Sequence, residues 1–302
     1  AELWWMDGSL FVVRPVEQVF REGREVADFL CQQEGLFRVY SPSYSLPQHL
    51  TALYGIQTAD GVDPLQLARY RVFMQYAGGY EDTGYTVTIP PFPEGADVRT
   101  AWREARPEAR LLGLLNVRYV VAAFPISAEG LRLRGWFGED YIYENERTMP
   151  RAWVVHQVKE VKDGKAALEA VLSIDPKEEA VVEVCKSANQ QIGKWADGKE
   201  SGEQVQVREY TPNRVVVEAK LESAGLLVLS EIWYPGWRAY VDGRDVPVCR
   251  VDYLLRGVFL EAGRHKIVFA FRPVSVLLGG AVSGITLLGL VVLAVVWRRS
   301  GQ

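Results

Sequence analysis

Histidine is scarce in this sequence. His49, His156 and His265 are the only three, and they lie far apart with no HxH or HExxH spacing. Metal catalysis of the zinc-hydrolase kind has nothing to stand on. GxSxG, Walker-type and GxGxxG segments are also missing, which removes the nucleophile-elbow, P-loop and dinucleotide readings. Asp and Glu are plentiful, but a single sequence singles out no glycosidase pair. Asp60, Asp63 and Asp242 read as turn or cap residues. Basic residues show no excess: 34 Lys and Arg against 38 Asp and Glu give a formal charge of −4, so no nucleic-acid partner is expected. Cysteine is equally rare. Cys31, Cys185 and Cys249 are widely spaced and odd in number; at most one bridge can form, and buried free thiols are the expectation. No Asn-x-Ser/Thr acceptor, internal repeat or low-complexity tract occurs. The chain begins Ala1-Glu2-Leu3, without an initiator Met, a basic n-region or an apolar h-region. It reads as lacking a secretory signal, and as a fragment or processed product of something longer.

What is present is concentrated at the C-terminus. Mean hydropathy is −0.04, an ordinary soluble value, yet Val274–Trp297 carries no charge and only Ser275, Ser283 and Thr286 as polar residues. As a helix rising about 1.5 Å per residue, this run is about 36 Å long, enough to cross a hydrocarbon core of about 30 Å. Trp297 sits where an interfacial aromatic belongs, followed by Arg298 and Arg299. Arg264, Lys266 and Arg272 flank the other end, so charge alone barely favours one orientation. Gly280 and Gly284 form a GxxxG step at which another helix could approach.

The N-terminal part mixes helix and strand signals. Leu36–Tyr40 alternates as a strand, Asp63-Pro64 reads as the start of a helix to about Gln75, and Pro107–Leu115 reads as a second helix. Val117–Val121, Tyr141–Tyr143, Ala152–Val158 and Val181–Val184 read as strands, with a short helix opening at Asp163. A polar stretch between Cys185 and Gln204 makes the best internal boundary by composition, or else a long hairpin loop within one sheet. After it, seven short strands are expected: 205–210, 214–221, 226–232, 238–241, 246–250, 254–260 and 266–271. Val215, Val217, Ala219 and Leu221 alternate with Arg214, Val216, Glu218 and Lys220, and Asp242-Gly243 has hairpin-turn chemistry. The expected architecture is β-rich α+β. It comprises a mixed α/β region over 1–202, an antiparallel β-sandwich over 203–273, one transmembrane helix over 274–297 and a cytoplasmic tail over 298–302.

The most unusual segment is Ser230–Gly243, in which four aromatics, Trp233, Tyr234, Trp237 and Tyr240, fall within eight residues around a Pro-Gly turn. Flat aromatic faces beside a carboxylate suit stacking on sugar rings. The same indoles equally suit filling the sandwich core, where aromatics bury most area. Burial of Trp233 and Trp237 decides between the two.

The stretch Trp233-Tyr234-Pro235-Gly236-Trp237 leading to Val241-Asp242-Gly243, followed by Ala262-Gly263-Arg264-His265-Lys266-Ile267-Val268-Phe269 and Arg272-Pro273, resembles the C-terminal end of the bacterial YfhO family. Upstream, Leu53–Gly61, Leu114–Val120 and Pro150-Arg151-Ala152 also look like that family. The resemblance implies a polytopic membrane protein of the GT-C glycosyltransferase type, moving sugar from a polyprenyl-phosphate donor to a cell-envelope polymer. It also implies that the catalytic carboxylate lies in an early external loop with no counterpart here, so the expected catalytic, cofactor and metal residues of this chain are none. On this reading Glu231, Trp233, Tyr234 and Trp237 are candidate glycan contacts. The partners are the bilayer through Val274–Trp297, the protein's other membrane helices, and an envelope glycan or polyprenyl-phosphate sugar. The chain is placed in the cell membrane, with its bulk extracytoplasmic. A membrane-anchored carbohydrate-binding or adhesion module and a purely structural domain are the competing readings.

Overall fold

The computed structural model describes residues 15–16, 20–81, 84, 86–183, 185 and 203–300. The chain divides into two compact units, Ala1–Arg151 and Ala152–Gln302.

In the first unit α1 (Arg24–Cys31) precedes β1 (Arg38–Tyr40), α2 (Gln48–Tyr54), β2 (Gln57–Thr58) and β3 (Gly61–Val62). Then come α3 (Ala68–Gly78), β4 (Thr88–Ile89), α4 (Ala109–Leu114), β5 (Val117–Ala122), β6 (Leu131–Phe137) and β7 (Asp140–Asn145). A five-stranded sheet runs β2-β1-β5-β7-β6. Strand β1 is parallel to both β2 and β5, while β7 is antiparallel to β5 and β6. Val26, Ala27 and Leu30 of α1 and Leu50 of α2 pack on Val39, Tyr119, Val121 and Ile142 of the sheet.

The helix expected from Asp63-Pro64 starts later, at Ala68. Asp63 Oδ1 accepts from the Leu65 amide at 2.8 Å, closing a local turn in which Leu65 is exposed. The apolar face that packs, Phe73, Met74 and Ala77, begins only a turn further on. The second expected helix forms, capped by Glu108, whose carboxylate accepts from the amides of Arg110 and Leu111. Its Gly113 has no room for a side chain, because a Cβ there would lie 2.1 Å from the Arg147 carbonyl oxygen. Backbone cannot retreat as a flexible side chain can. Gly113→Ala is expected to cost about 2 kcal/mol, read as a lowered urea midpoint of the intact protein.

Three segments of the first unit that are distant in sequence converge. Arg151 Nε donates to Asn116 Oδ1 at 2.9 Å and its Nη2 donates to Gln57 Oε1 at 2.8 Å, while Asn116 Nδ2 donates to the Met149 carbonyl. Arg151 and Asn116 are buried. Asn116 holds φ 57 where the chain leaves α4 for β5, a conformation that Asn tolerates better than most residues.

The second unit opens with β8 (Ala152–Val155), β9 (Gln157–Val161), α5 (Gly164–Val171) and β10 (Glu179–Glu183). The expected strand 152–158 is thus broken at His156. Asp163 caps α5 through the Ala166 amide at 2.9 Å, as its position suggested. Then follow β11 (Gln204–Thr211), β12 (Arg214–Leu221), β13 (Gly225–Ile232), β14 (Trp237–Val241), β15 (Arg244–Val246), β16 (Cys249–Val251), β17 (Leu255–Leu260) and β18 (Gly263–Phe271). Where one strand was expected over 246–250, β15 and β16 stand apart. One sheet runs β8-β13-β17-β16-β10-β9 and the other β11-β12-β18-β14-β15.

Their inner faces meet in one core. Val215, Val217, Ala219, Leu221, Ile267 and Phe269 come from one sheet, and Leu227, Leu229, Val258 and Leu260 from the other. Strands from both sides of the polar stretch share the first sheet, since β8 pairs with β13 and β10 with β16. Residues 186–202 of that stretch lie outside the described residues.

Cys185 and Cys249 form a disulfide with Cα atoms 5.5 Å apart, and Cys31 is a free, exposed thiol. This corrects the expectation of buried free thiols. Pairing of β10 with β16 brings together two cysteines that are 64 residues apart in sequence, a proximity that spacing alone does not carry. From Phe271 only Arg272 and Pro273 intervene before α6 (Val274–Ser300), an apolar helix of which Val274–Leu293 is long enough to cross a membrane.

Candidate functional site

Strand β13 delivers Glu231 and then turns through Trp233–Gly236 into β14, which begins at Trp237. The four candidate residues therefore occupy one end of the sandwich. A register shift between Leu229 and Ile232 interrupts the pairing of β13 with β17 just before the turn, as bulges do where a strand re-aims its side chains.

The Glu231 carboxylate is engaged at both oxygens. Oε1 accepts from the Tyr210 hydroxyl at 2.6 Å, and Oε2 lies 3.6 Å from Arg256 Nη2. The Arg256 guanidinium, 2% exposed, lies over the Trp237 ring at 3.6 Å. Trp237 itself packs against the sandwich core and meets Phe271 at 5.3 Å between ring centroids. Glu231 and Arg256 belong to one sheet and Tyr210 and Trp237 to the other. The cluster thus ties the two sheets together.

A second set is built alike. Arg250 lies 4.0 Å over the Trp233 ring and 3.4 Å from the Glu183 carboxylate. The Trp233 indole donates to the Val248 carbonyl at 3.3 Å and its amide donates to the Leu254 carbonyl at 2.7 Å. Such cation–aromatic contacts are worth more when desolvated than at an open surface. Trp233 and Trp237 are both half-buried, each with a guanidinium on its ring, and Tyr234 is the most exposed of the four at 48%. The indoles are neither wholly inside the core nor open platforms.

Tyr210, Arg250 and Arg256 are the parts of this site that the sequence did not point to. They sit on strands whose register places them beside the aromatics, and register has no local sequence signal. Two further polar groupings stand out. On the outer face of the second sheet a groove of about 500 Å³ carries Lys220, Arg264 and Lys266 beside His265. His265 Nδ1 lies 2.7 Å from Asp242 Oδ2, and Asp242 Oδ1 accepts from the Lys266 amide. Those contacts, the amide first, hold the Asp242 carboxyl below its usual range. Asp242 and Gly243 have φ 51 and 82, the hairpin turn expected of them.

In the first unit, the segment leaving parallel strand β1 buries Ser41, Ser43 and Ser45. The Ser41 amide donates to Asp60 Oδ1 at 2.9 Å, and desolvation pushes the Asp60 carboxyl up to about 7. Asp60 is more than a turn residue. Among the described residues no group of three or more His, Cys, Asp or Glu is arranged to hold a metal ion.

Among the described residues Asp252 is the most deeply buried carboxyl, 1% exposed, with Oδ1 accepting from the Val181 amide at 2.8 Å. Burial pushes it up to about 7. The native state therefore keeps a proton that the unfolded chain has already released between pH about 4 and about 7. Stability should fall as pH rises through that window and level off on either side. Melting temperatures from pH 4 to 8 check this. Asp252→Asn, which keeps the acceptor for Val181, should flatten that part of the slope, and an unchanged slope would put its origin elsewhere.

Residues 187–283 match the model of the family described as bacterial membrane protein YfhO. The match takes in the aromatic turn, the Asp242-Gly243 hairpin, the Arg272-Pro273 junction and the start of α6, bearing out the resemblance read from those motifs. No curated protein and no solved structure matches the chain.

Proposed function

We propose that this YfhO-family membrane protein region is the non-catalytic, extracytoplasmic part and closing helix of a polytopic glycosyltransferase-like protein. In this reading the whole protein moves sugar from a polyprenyl-phosphate donor to a cell-envelope polymer. The observation that carries it is the family match, which runs from the sandwich across the Arg272-Pro273 junction into α6. The Cys185–Cys249 bridge supports the extracytoplasmic placement, because structural disulfides persist in oxidising compartments. Sugar transfer needs a general base and groups that coordinate phosphate, and the reading assigns both to membrane-side segments outside this chain. Glu231, Trp233, Tyr234 and Trp237 then serve as glycan contacts, with Tyr234 the most accessible.

Retention of polyprenyl-phosphate sugar and of envelope glycan by the detergent-solubilised protein tests the reading. Tyr234→Ala should weaken retention several-fold at unchanged melting temperature, in line with the loss of one aromatic contact. Trp233→Ala should weaken it as well while lowering the melting temperature, because its indole also packs under Arg250 and donates to Val248. Retention equal to the parent for both variants would remove the glycan role from this turn.

A further inference from the structure

The aromatic turn is joined directly to the membrane span, and this connection has a consequence independent of any sugar. The Arg272 amide donates to the Gly236 carbonyl at 2.7 Å. Gly236 holds φ 105, and a Cβ there would lie 3.0 Å from the Phe271 ring and 3.1 Å from Pro273 Cα. The turn therefore lies flat against the two residues that lead into α6. The neighbouring hairpin ends at the same level, since the Phe271 amide donates to the Asn213 carbonyl at 2.9 Å. Thr211, Pro212, Asn213 and Arg214 are all exposed there.

Dimensions fix the depth of this end. The uncharged run from Val274 is about 36 Å long as a helix against a hydrocarbon core of about 30 Å, and the headgroup layer adds about 5–8 Å on each side. Pro273 is thus at the edge of the hydrocarbon, and whatever touches it is at headgroup depth. What touches it is Gly236. Around that point stand Tyr234, half-exposed and 6.4 Å from the Phe271 ring, then Trp237, and Arg272 with its guanidinium 5.9 Å from the Tyr240 ring. Amphipathic aromatics and a cation are the residues that settle at a lipid–water interface. Trp297, 82% exposed, supplies the matching aromatic near the far end of α6.

We propose that the Tyr234-Pro235-Gly236 turn, with Trp237 and Arg272, seats in the headgroup layer of the bilayer that α6 crosses. There it acts as an interfacial anchor that holds the membrane-proximal end of the sandwich against the lipid. The occupant of this surface is phospholipid, because the turn is hydrogen-bonded to Arg272, two residues before the span begins. The proposal rests on α6 crossing the membrane and not on the glycosyltransferase reading.

The test uses the protein reconstituted whole into nanodiscs, in a Cys31→Ser background that leaves the Cys185–Cys249 bridge oxidised. A thiol-reactive fluorophore is placed at Tyr234→Cys, at Pro235→Cys as a second site that keeps the tyrosine, and at Arg244→Cys beyond the opposite end of β14. Lipids carrying a nitroxide on the headgroup should quench the label at 234 and at 235 at least about three-fold more than at 244, the difference expected across one strand length at this depth. Equal quenching at both ends of β14 would overturn the proposal. So would labels at 234 and 235 that are shielded from lipid and aqueous quenchers alike, because protein would then cover the turn. Glycan retention in detergent reads the other proposal separately, so failure of one leaves the other standing.

Discussion

Loss of the Cys185–Cys249 bridge should lower the stability of the second unit by about 4 kcal/mol, the chain-entropy value for a loop between those of 15 and 100 residues. The loop here spans 64 residues. It ties the exit of β10 to β16, a pair of strands joined in register at Val182 and Val251. Cys249 is 1% exposed and Cys185 7%, so the bridge is embedded in the sandwich, out of reach of solvent. In a unit of this size about 4 kcal/mol corresponds to a fall in melting temperature on the order of 10 °C. Cys185→Ser/Cys249→Ser should show that fall with or without reductant, whereas Cys31→Ser should show none because Cys31 is exposed and unbridged. Alkylation of the native protein before any reduction should modify Cys31 and spare the other two. Three modified thiols, or a double variant that melts with the parent, would mean that the bridge does not form in the cell.

Period-two alternation carried much of the second unit. Val215, Val217, Ala219 and Leu221 point into the core as their pattern requires, and Asp242-Gly243 makes its turn because both residues take positive φ. The apolar run from Val274 is one helix for the same reason that it stood out: nothing in it is charged. Partnership between distant segments was not legible. The joining of β8 to β13 and of β10 to β16 depends on apolar faces that any strand of the unit offers, and so did the cysteine pairing. At the candidate site the aromatics and Glu231 were visible as a composition, but Arg250 and Arg256 were not. Their strands carry them on faces set by register and by the bulge in β13. In the first unit, two-residue strands such as Gln57–Thr58 are too short to show any period.

Glu231→Ala should cost about 3 kcal/mol or more, the penalty for removing one partner of a buried ion pair. Arg256 is 3% exposed at its side chain and Glu231 15%, so water replaces the lost carboxylate only in part. The guanidinium cannot swing out to solvent without abandoning the Trp237 ring that it covers at 3.6 Å. Removing the carboxylate also strips the Tyr210 hydroxyl of its acceptor at 2.6 Å, which loosens a link between the two sheets. Glu231→Gln keeps an acceptor for Tyr210 and should cost clearly less. Replacing both charges, Glu231→Met with Arg256→Met, should recover most of the loss, because a well-packed apolar pair avoids the desolvation that the ions incur. A double-mutant cycle in urea would then give a coupling energy of about 1–3 kcal/mol. These values bear on function as well. A Glu231 acting only as a sugar contact would lose glycan retention on substitution while the urea midpoint stayed in place. A midpoint that falls for Glu231→Ala and returns for the paired Met variant would assign the carboxylate to joining the sheets, leaving Tyr234 and Trp233 to meet any ligand.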